Sequence, residues 1–140
     1  MAAMPGDRDS AWWWAQLAEH RLMLQRCVRC GALRWPPRAM CGVCGAFDTA
    51  EIQASGRGQV ASWIVTQRAF LPHLKPPYVV LLVRLADQED LLLPGGWDGP
   101  ADGSGLRIGL EVRAGFTDAD ADAGPDLTLL RWRPVGEERL

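Results

Sequence analysis

The 140-residue chain has one lysine, Lys75, and one tyrosine, Tyr78, so arginine carries nearly all of its positive charge. Between His20 and Phe47 it has no acid at all, although Arg21, Arg26, Arg29, Arg34 and Arg38 lie there. No apolar run approaches the roughly 20 residues that a membrane helix needs. The opening MAAMPGDRDS lacks the basic-then-apolar pattern of a secretory leader. These absences predict a soluble, cytoplasmic protein with no membrane partner. Catalytic material is also scarce. No Walker-type or dinucleotide glycine loop occurs, and GRG at 56–58 is too short to act as one. His20 falls at the end of a predicted helix, and His73 lies in the proline-stiffened FLPHLKPP. Neither has a sequence neighbour that would complete a nucleophile–base pair. His73 retains only the possibility of serving as an auxiliary acid in a partner's site.

The net charge of −2 argues against a dedicated nucleic-acid binder. It is unevenly spread, with a basic front and an acidic back that runs from Asp87 through Asp98, Asp102 and Asp118 to Asp126. A bias of arginine over lysine can come from genome composition alone. Such a bias does not remove acids from one segment.

Along the chain, Asp9 or Ser10 is placed to cap a helix that runs to about His20. On a helical wheel Trp13, Trp14, Leu17 and Ala18 share the apolar face, while Trp12 falls with Gln16 and Glu19 on the polar side. Trp12 therefore either marks a partner surface or folds back onto its own chain. Downstream, SGRGQV (55–60) reads as a turn, followed by strands at Val60–Thr66, Tyr78–Leu85, Asp90–Leu93, Leu110–Phe116 and Leu127–Arg133. YVVLLVRL (78–85) is apolar enough to be buried in part on both faces. PGGWDGPADGSG (94–105) reads as a loop. Short strands in a compact chain predict a small, closed antiparallel barrel.

The strongest signal is CVRC at 27–30 and CGVC at 41–44. Each CxxC knuckle brings two thiolates to one ion, and two knuckles complete a tetrahedral tetrathiolate site. Zinc is preferred, and iron also fits. Disulfides are disfavoured in a reducing compartment, and a redox pair needs only one CxxC. A closed shell leaves no open coordination position, so the expected role of Cys27, Cys30, Cys41 and Cys44 is to hold the fold. Zinc with four thiolates carries −2, which leaves the module near about +3 after its arginines are counted. An arginine-rich, acid-free surface suits phosphate, whether of a nucleic acid or of a phosphorylated cofactor. The alternative is a solvated face that shields the thiolates. Trp63 and Tyr78 would be the stacking platforms of a nucleic-acid module.

The order of parts resembles the DUF35 family. A tryptophan-bearing helix leads into LQRCVRCGALRWPPRAMCGVCG, then GRGQVASWIVTQRAF, PPYVVLLVRL, LRIGLEVRAGF and LRWRPV, over about Trp12 to Val135. The resemblance implies a mainly β protein: an N-terminal tail and helix (1–20), a rubredoxin-like zinc ribbon (21–54) and a five-stranded OB-fold barrel (55–140). It also implies an accessory, non-catalytic subunit of thiolase-superfamily enzymes that act on acyl-CoA. Those enzymes are of acyltransferase, acyl-CoA synthase or aldolase type. The partner would be met through the Trp12-Trp13-Trp14 helix and the ribbon. The coenzyme A moiety would lie against Arg34, Trp35, Arg38, Arg68 and Phe70.

Overall fold

A computed structural model describes residues 8–70, 74–118 and 128–135. His73 and the acidic turn after Asp118 lie outside them. The described residues fold as one short helix, a small sheet and a closed barrel. Among the described residues no helix is long and apolar enough to cross a membrane.

Helix α1 spans Ala11–Ala18, shorter than expected. Ser10 takes the N-cap position without a side-chain capping bond, and its carbonyl accepts from the Trp14 amide at 3.2 Å. The far end closes in a Schellman turn: the His20 amide donates to the Leu17 carbonyl at 2.8 Å, and the Arg21 amide to Gln16 at 3.0 Å. This turn puts His20 in the left-handed region, at φ 59°. Its imidazole stacks on Phe116 with centroids 5.3 Å apart, and its Nε2 lies 2.9 Å from the Asp118 carboxylate.

Three strands form the ribbon sheet: β1 (Met23–Cys27), β2 (Leu33–Arg34) and β3 (Thr49–Gln53). They are ordered β2-β1-β3, with both neighbours antiparallel to β1. The strands lie before, between and after the two CxxC knuckles.

Five further strands close the barrel in the order β4-β5-β6-β8-β7: β4 (Arg57–Thr66), β5 (Tyr78–Leu85), β6 (Leu92–Trp97), β7 (Glu111–Asp118) and β8 (Thr128–Pro134). All pairs are antiparallel except β6 with β8. The mainly β architecture, a ribbon followed by a five-stranded OB-fold barrel, is the one expected. A bulge between Val60 and Ser62 shifts the phase of β4. Val60 points inward before it, and Trp63 and Val65, which pair with buried Leu81 and Val79, turn to the core after it.

The stretch 94–105 departs from the sequence reading, because β6 continues through Pro94, Gly95 and Gly96. Pro94 is tolerated because β8 pairs only from Gly96 onward, so no ladder bond needs its missing N–H on that side. Gly95 is needed for space, since a Cβ there would lie 2.7 Å from the Trp132 indole nitrogen.

A single core runs through both parts. Leu22, Leu24 and Ala54 of the ribbon region join Trp13 and Leu17 of α1, and Val60, Leu81, Val83, Leu93, Val112 and Trp132 of the barrel. Gln88, in the β5–β6 turn, clamps the two parts together. Its amide donates to the Leu33 carbonyl at 2.9 Å and accepts from the Leu33 N–H at 2.8 Å.

Candidate metal centre and adjoining groove

Cys27-Val-Arg-Cys30-Gly31-Ala32 and Cys41-Gly-Val-Cys44-Gly45-Ala46 adopt the same local bonding. In each, the amide of the glycine donates to the carbonyl of the first cysteine, at 2.9 and 3.0 Å, and the first cysteine's amide donates to the alanine carbonyl, at 2.9 and 2.8 Å. Both turns need a positive φ after the second cysteine, 79° at Gly31 and 80° at Gly45. The glycine after each pair is therefore part of the knuckle.

The four sulfur atoms lie within 4.8 Å of one another. The Sγ atoms of Cys27 and Cys44 are 3.5 Å apart, and those of Cys30 and Cys41 are 3.6 Å apart. Zinc–sulfur bonds near 2.3 Å in a tetrahedron require sulfur atoms about 3.8 Å apart, so the thiols present fit the ion. Backbone amides already point at them: Cys30 N–H to the Cys27 sulfur at 3.5 Å, and Val43 N–H to the Cys41 sulfur at 3.4 Å. The amides of Cys44 and Val43 hold the Cys41 thiol down at about 6. Cys30 goes the other way. Its bond from Ala32 favours the thiolate, but burial and the neighbouring thiols outweigh it and push it up to about 11. Four thiols this close cannot all ionise unaided. A dication held by Cys27, Cys30, Cys41 and Cys44 would take the place of the remaining protons.

Beside the ribbon, α1 and the barrel enclose a groove of about 650 Å³. Trp13, Trp14 and Trp35 form one wall, Tyr78 and Val80 another, and Asp98 and Arg131 the polar rim. Trp13 meets Trp35 edge-on, with centroids 5.4 Å apart. Strand β5 alternates buried and half-buried residues because Tyr78 and Val80 on its outer face line this groove.

The residues expected at a coenzyme A site are Arg34, Trp35, Arg38, Arg68 and Phe70. Only Trp35 lines the groove. Arg34 is half-buried and turned inward: its guanidinium donates twice to the Arg38 carbonyl, at 3.2 and 3.0 Å, and to the Thr49 hydroxyl at 2.5 Å. Together with Gln25, which accepts from the Arg38 amide at 2.8 Å, Arg34 fixes the Trp35–Arg38 loop. Arg38 is exposed. Arg68 and Phe70 are exposed and form their own cation–π pair at 5.9 Å.

Trp12 also departs from the wheel. It is half-buried, packs on the core, and has its indole nitrogen shielded from solvent. The short helix sits in a corner, with Trp35 on one side and β8 on the other. A helix covered from two directions has no single buried face. Trp14, not Trp12, turns to the open groove. Trp63 and Tyr78 fall on opposite faces of the β4–β5 ladder, because Trp63 pairs with inward Leu81 while Tyr78 pairs with Thr66 in the alternate phase. They make no common stacking platform. Trp97 reaches the groove because PGGW, a turn signal in isolation, continues β6, and the pairing of β6 with β8 brings Arg131 beside it.

A tetrathiolate ribbon fused to an OB barrel defines the class. Residues 14–50 match the family described as ChsH2, rubredoxin-like zinc ribbon domain, and residues 51–117 match ChsH2, C-terminal OB-fold domain. The chain belongs to the DUF35 family. A chain of the "Ltp2-ChsH2(DUF35) aldolase" overlays with a TM-score of 0.81 at 37% identity, covering 94% of this chain and 98% of that one. A DUF35 protein of unknown function from Sulfolobus solfataricus shares the fold, with a TM-score of 0.61 at 15% identity, over 92% of this chain and 87% of its own. Among curated relatives, a "Probable enoyl-CoA hydratase alpha subunit" of Thermomonospora curvata is 38% identical over 92% of this chain. A "3-oxo-4,17-pregnadiene-20-carboxyl-CoA hydratase alpha subunit" of Mycobacterium tuberculosis is 33% identical over 91%. The chain spans 38% of the length of each of these two subunits. A "DUF35 domain-containing scaffold protein" of Pyrococcus furiosus is 31% identical over 56% of this chain and 57% of its own.

Proposed function

We propose that the chain is a non-catalytic accessory subunit that scaffolds a thiolase-superfamily enzyme acting on acyl-CoA, of acyltransferase, synthase or aldolase type. The observation that carries this reading is the near-complete overlay on a chain of the Ltp2-ChsH2(DUF35) aldolase. A relative named as a scaffold protein supports it. So does the site chemistry, in which the thiols gather at one structural centre and His20 is engaged with Asp118. Cys27, Cys30, Cys41 and Cys44 hold zinc in this reading. The ion supplies four bonds to sulfur that lock the two knuckles and leave no position for substrate. The units fall at 1–20, 21–54 and 55–140, and the protein works in the cytoplasm, where thiols stay reduced.

Contact with acyl-CoA is the finer part of the proposal. Trp35, in the groove wall, supports an apolar contact, and the exposed guanidinium groups of Arg38 and Arg68 would be the ones to meet phosphate. Arg34 serves this site by holding the Arg38 loop. Arg34→Ala and Arg38→Ala should each weaken coenzyme A binding in calorimetry, and unchanged affinity in both removes this contact.

Co-expression with the thiolase-type product of an adjacent gene tests the main reading. One complex eluting as a unit is expected. A chain that always elutes alone contradicts it.

A further inference from the structure

The groove between α1 and the barrel joins an aromatic lining to one small charged cluster. Trp13, Trp14, Trp35 and Tyr78 supply aromatic walls, and Gly95, Gly96 and Gly99 leave bare backbone between them. Trp13 and Trp35 stand with their planes 64° apart. Rings set at such an angle accept a flat apolar body, which stacks on one and meets the edge of the other. Among the described residues that line the groove, the charged ones are Asp98 and Arg131.

Direct bonds gather the charge at that rim. The Asp98 carboxylate accepts from Arg131 Nε at 2.5 Å and from Arg133 Nε at 3.1 Å. One carboxylate thus faces two guanidinium groups, and the cluster stays net positive. Arg131 Nη2 donates to the Trp97 carbonyl at 2.6 Å. These bonds fix the guanidinium and leave its Nη1 with no partner among the described residues. Nη1 lies over Gly96 in the groove wall, where a Cβ would come within 2.6 Å of it. Two groove residues, Trp35 and Trp97, also hold indole N–H groups out of water without an acceptor. Such groups call for a polar atom that the chain itself does not supply. We propose that this groove binds a small ring-bearing carboxylate. Its flat apolar body lies among Trp14, Trp35 and Tyr78, and its carboxylate takes Arg131 Nη1. A volume of about 650 Å³ suits one such ligand. A cation would meet a rim that is already positive. The site belongs to the chain alone and does not rest on the scaffolding reading.

Calorimetric titration of the zinc-loaded chain with 2-naphthoate tests this, with zinc content and melting temperature as folding controls. Saturable binding is expected. Naphthalene-2-carboxamide, which lacks the charge, and decanoate, which lacks the ring, should each bind at least roughly tenfold more weakly. Arg131→Gln should erase the preference for acid over amide. Ala101→Trp, which fills the groove from an exposed turn residue, should abolish binding with zinc and melting unchanged. Ile108→Glu, at a residue 75% exposed and outside the groove, should bind as wild type. No saturable binding by the wild type below about 1 mM overturns the site. So does wild-type affinity in folded Ala101→Trp, or loss of binding in folded Ile108→Glu. Equal affinity for acid and amide, or a preference kept in Arg131→Gln, overturns the carboxylate contact. Decanoate binding as tightly as 2-naphthoate overturns the ring-bearing class. All of these results are read without a partner, so the scaffolding reading stands or falls separately, by co-elution.

Discussion

Gly58 comes closer to its neighbour strand than any side chain allows. A Cβ there would lie 2.5 Å from the Arg84 carbonyl oxygen and 2.6 Å from Val83 Cγ1. The obstacle is partly backbone, which cannot swing away. Gly58→Ala should cost about 1–3 kcal/mol in denaturant unfolding, and an unchanged midpoint would show that the barrel yields there. Asp118 is a different kind of position. Its carboxylate accepts from the Thr128 hydroxyl at 2.6 Å and contacts His20 at 2.9 Å, and these partners, the hydroxyl first, hold its acid below the usual range. A depressed folded value gives stability that is present above the unfolded value, near about 3.9, and lost as pH falls through the folded one. Asp118→Asn should therefore lower stability near neutral pH, with the difference shrinking below about pH 4. A difference that persists undiminished at pH 2 would contradict this. Neither role can be read locally from sequence. Gly58 is one of a GRG pair, and Asp118 meets His20 across 98 positions. The cysteines were legible because their chemistry is written in two short, identical spacings.

At the scale of elements, strand β5 was legible to the residue, since a long β-branched and leucine run between turn signals has few other solutions. Strand β6 was not, because PGG is a turn signal in isolation. Only the bulk of Trp132 and Arg131 across the ladder turns those glycines into a fit. The loop at Trp35–Arg38 shows the same dependence on distant partners. Its prolines were visible, but the Arg34 and Gln25 side chains that pin it come from β2 and β1. Arg34→Lys keeps the charge but loses the fork that reaches the Arg38 carbonyl twice. Trp35 should then move relative to Trp13, seen as a change in near-ultraviolet circular dichroism, with at most about 1–2 kcal/mol lost. An unaltered spectrum would show that Pro36 and Pro37 hold the loop alone.

At the scale of the whole molecule, ribbon and barrel share one core, with Leu22 and Leu24 packed in the same cluster as Val83 and Trp132. The metal therefore stabilises more than the ribbon. Chelation, or Cys41→Ser, should lower one cooperative transition of the entire chain. A barrel that melts unchanged while the ribbon is lost would mean two independent units. The single core joins helix, ribbon and barrel in one rigid piece. The central claim is that this rigid piece assists chemistry it does not perform. Acyl-CoA turnover by the chain alone, by the thiolase-like partner alone and by their mixture tests it most directly. The account predicts no turnover by the chain, and a mixture faster than the partner by itself. Turnover by the isolated, zinc-loaded chain, or a mixture no faster than the partner, would contradict it.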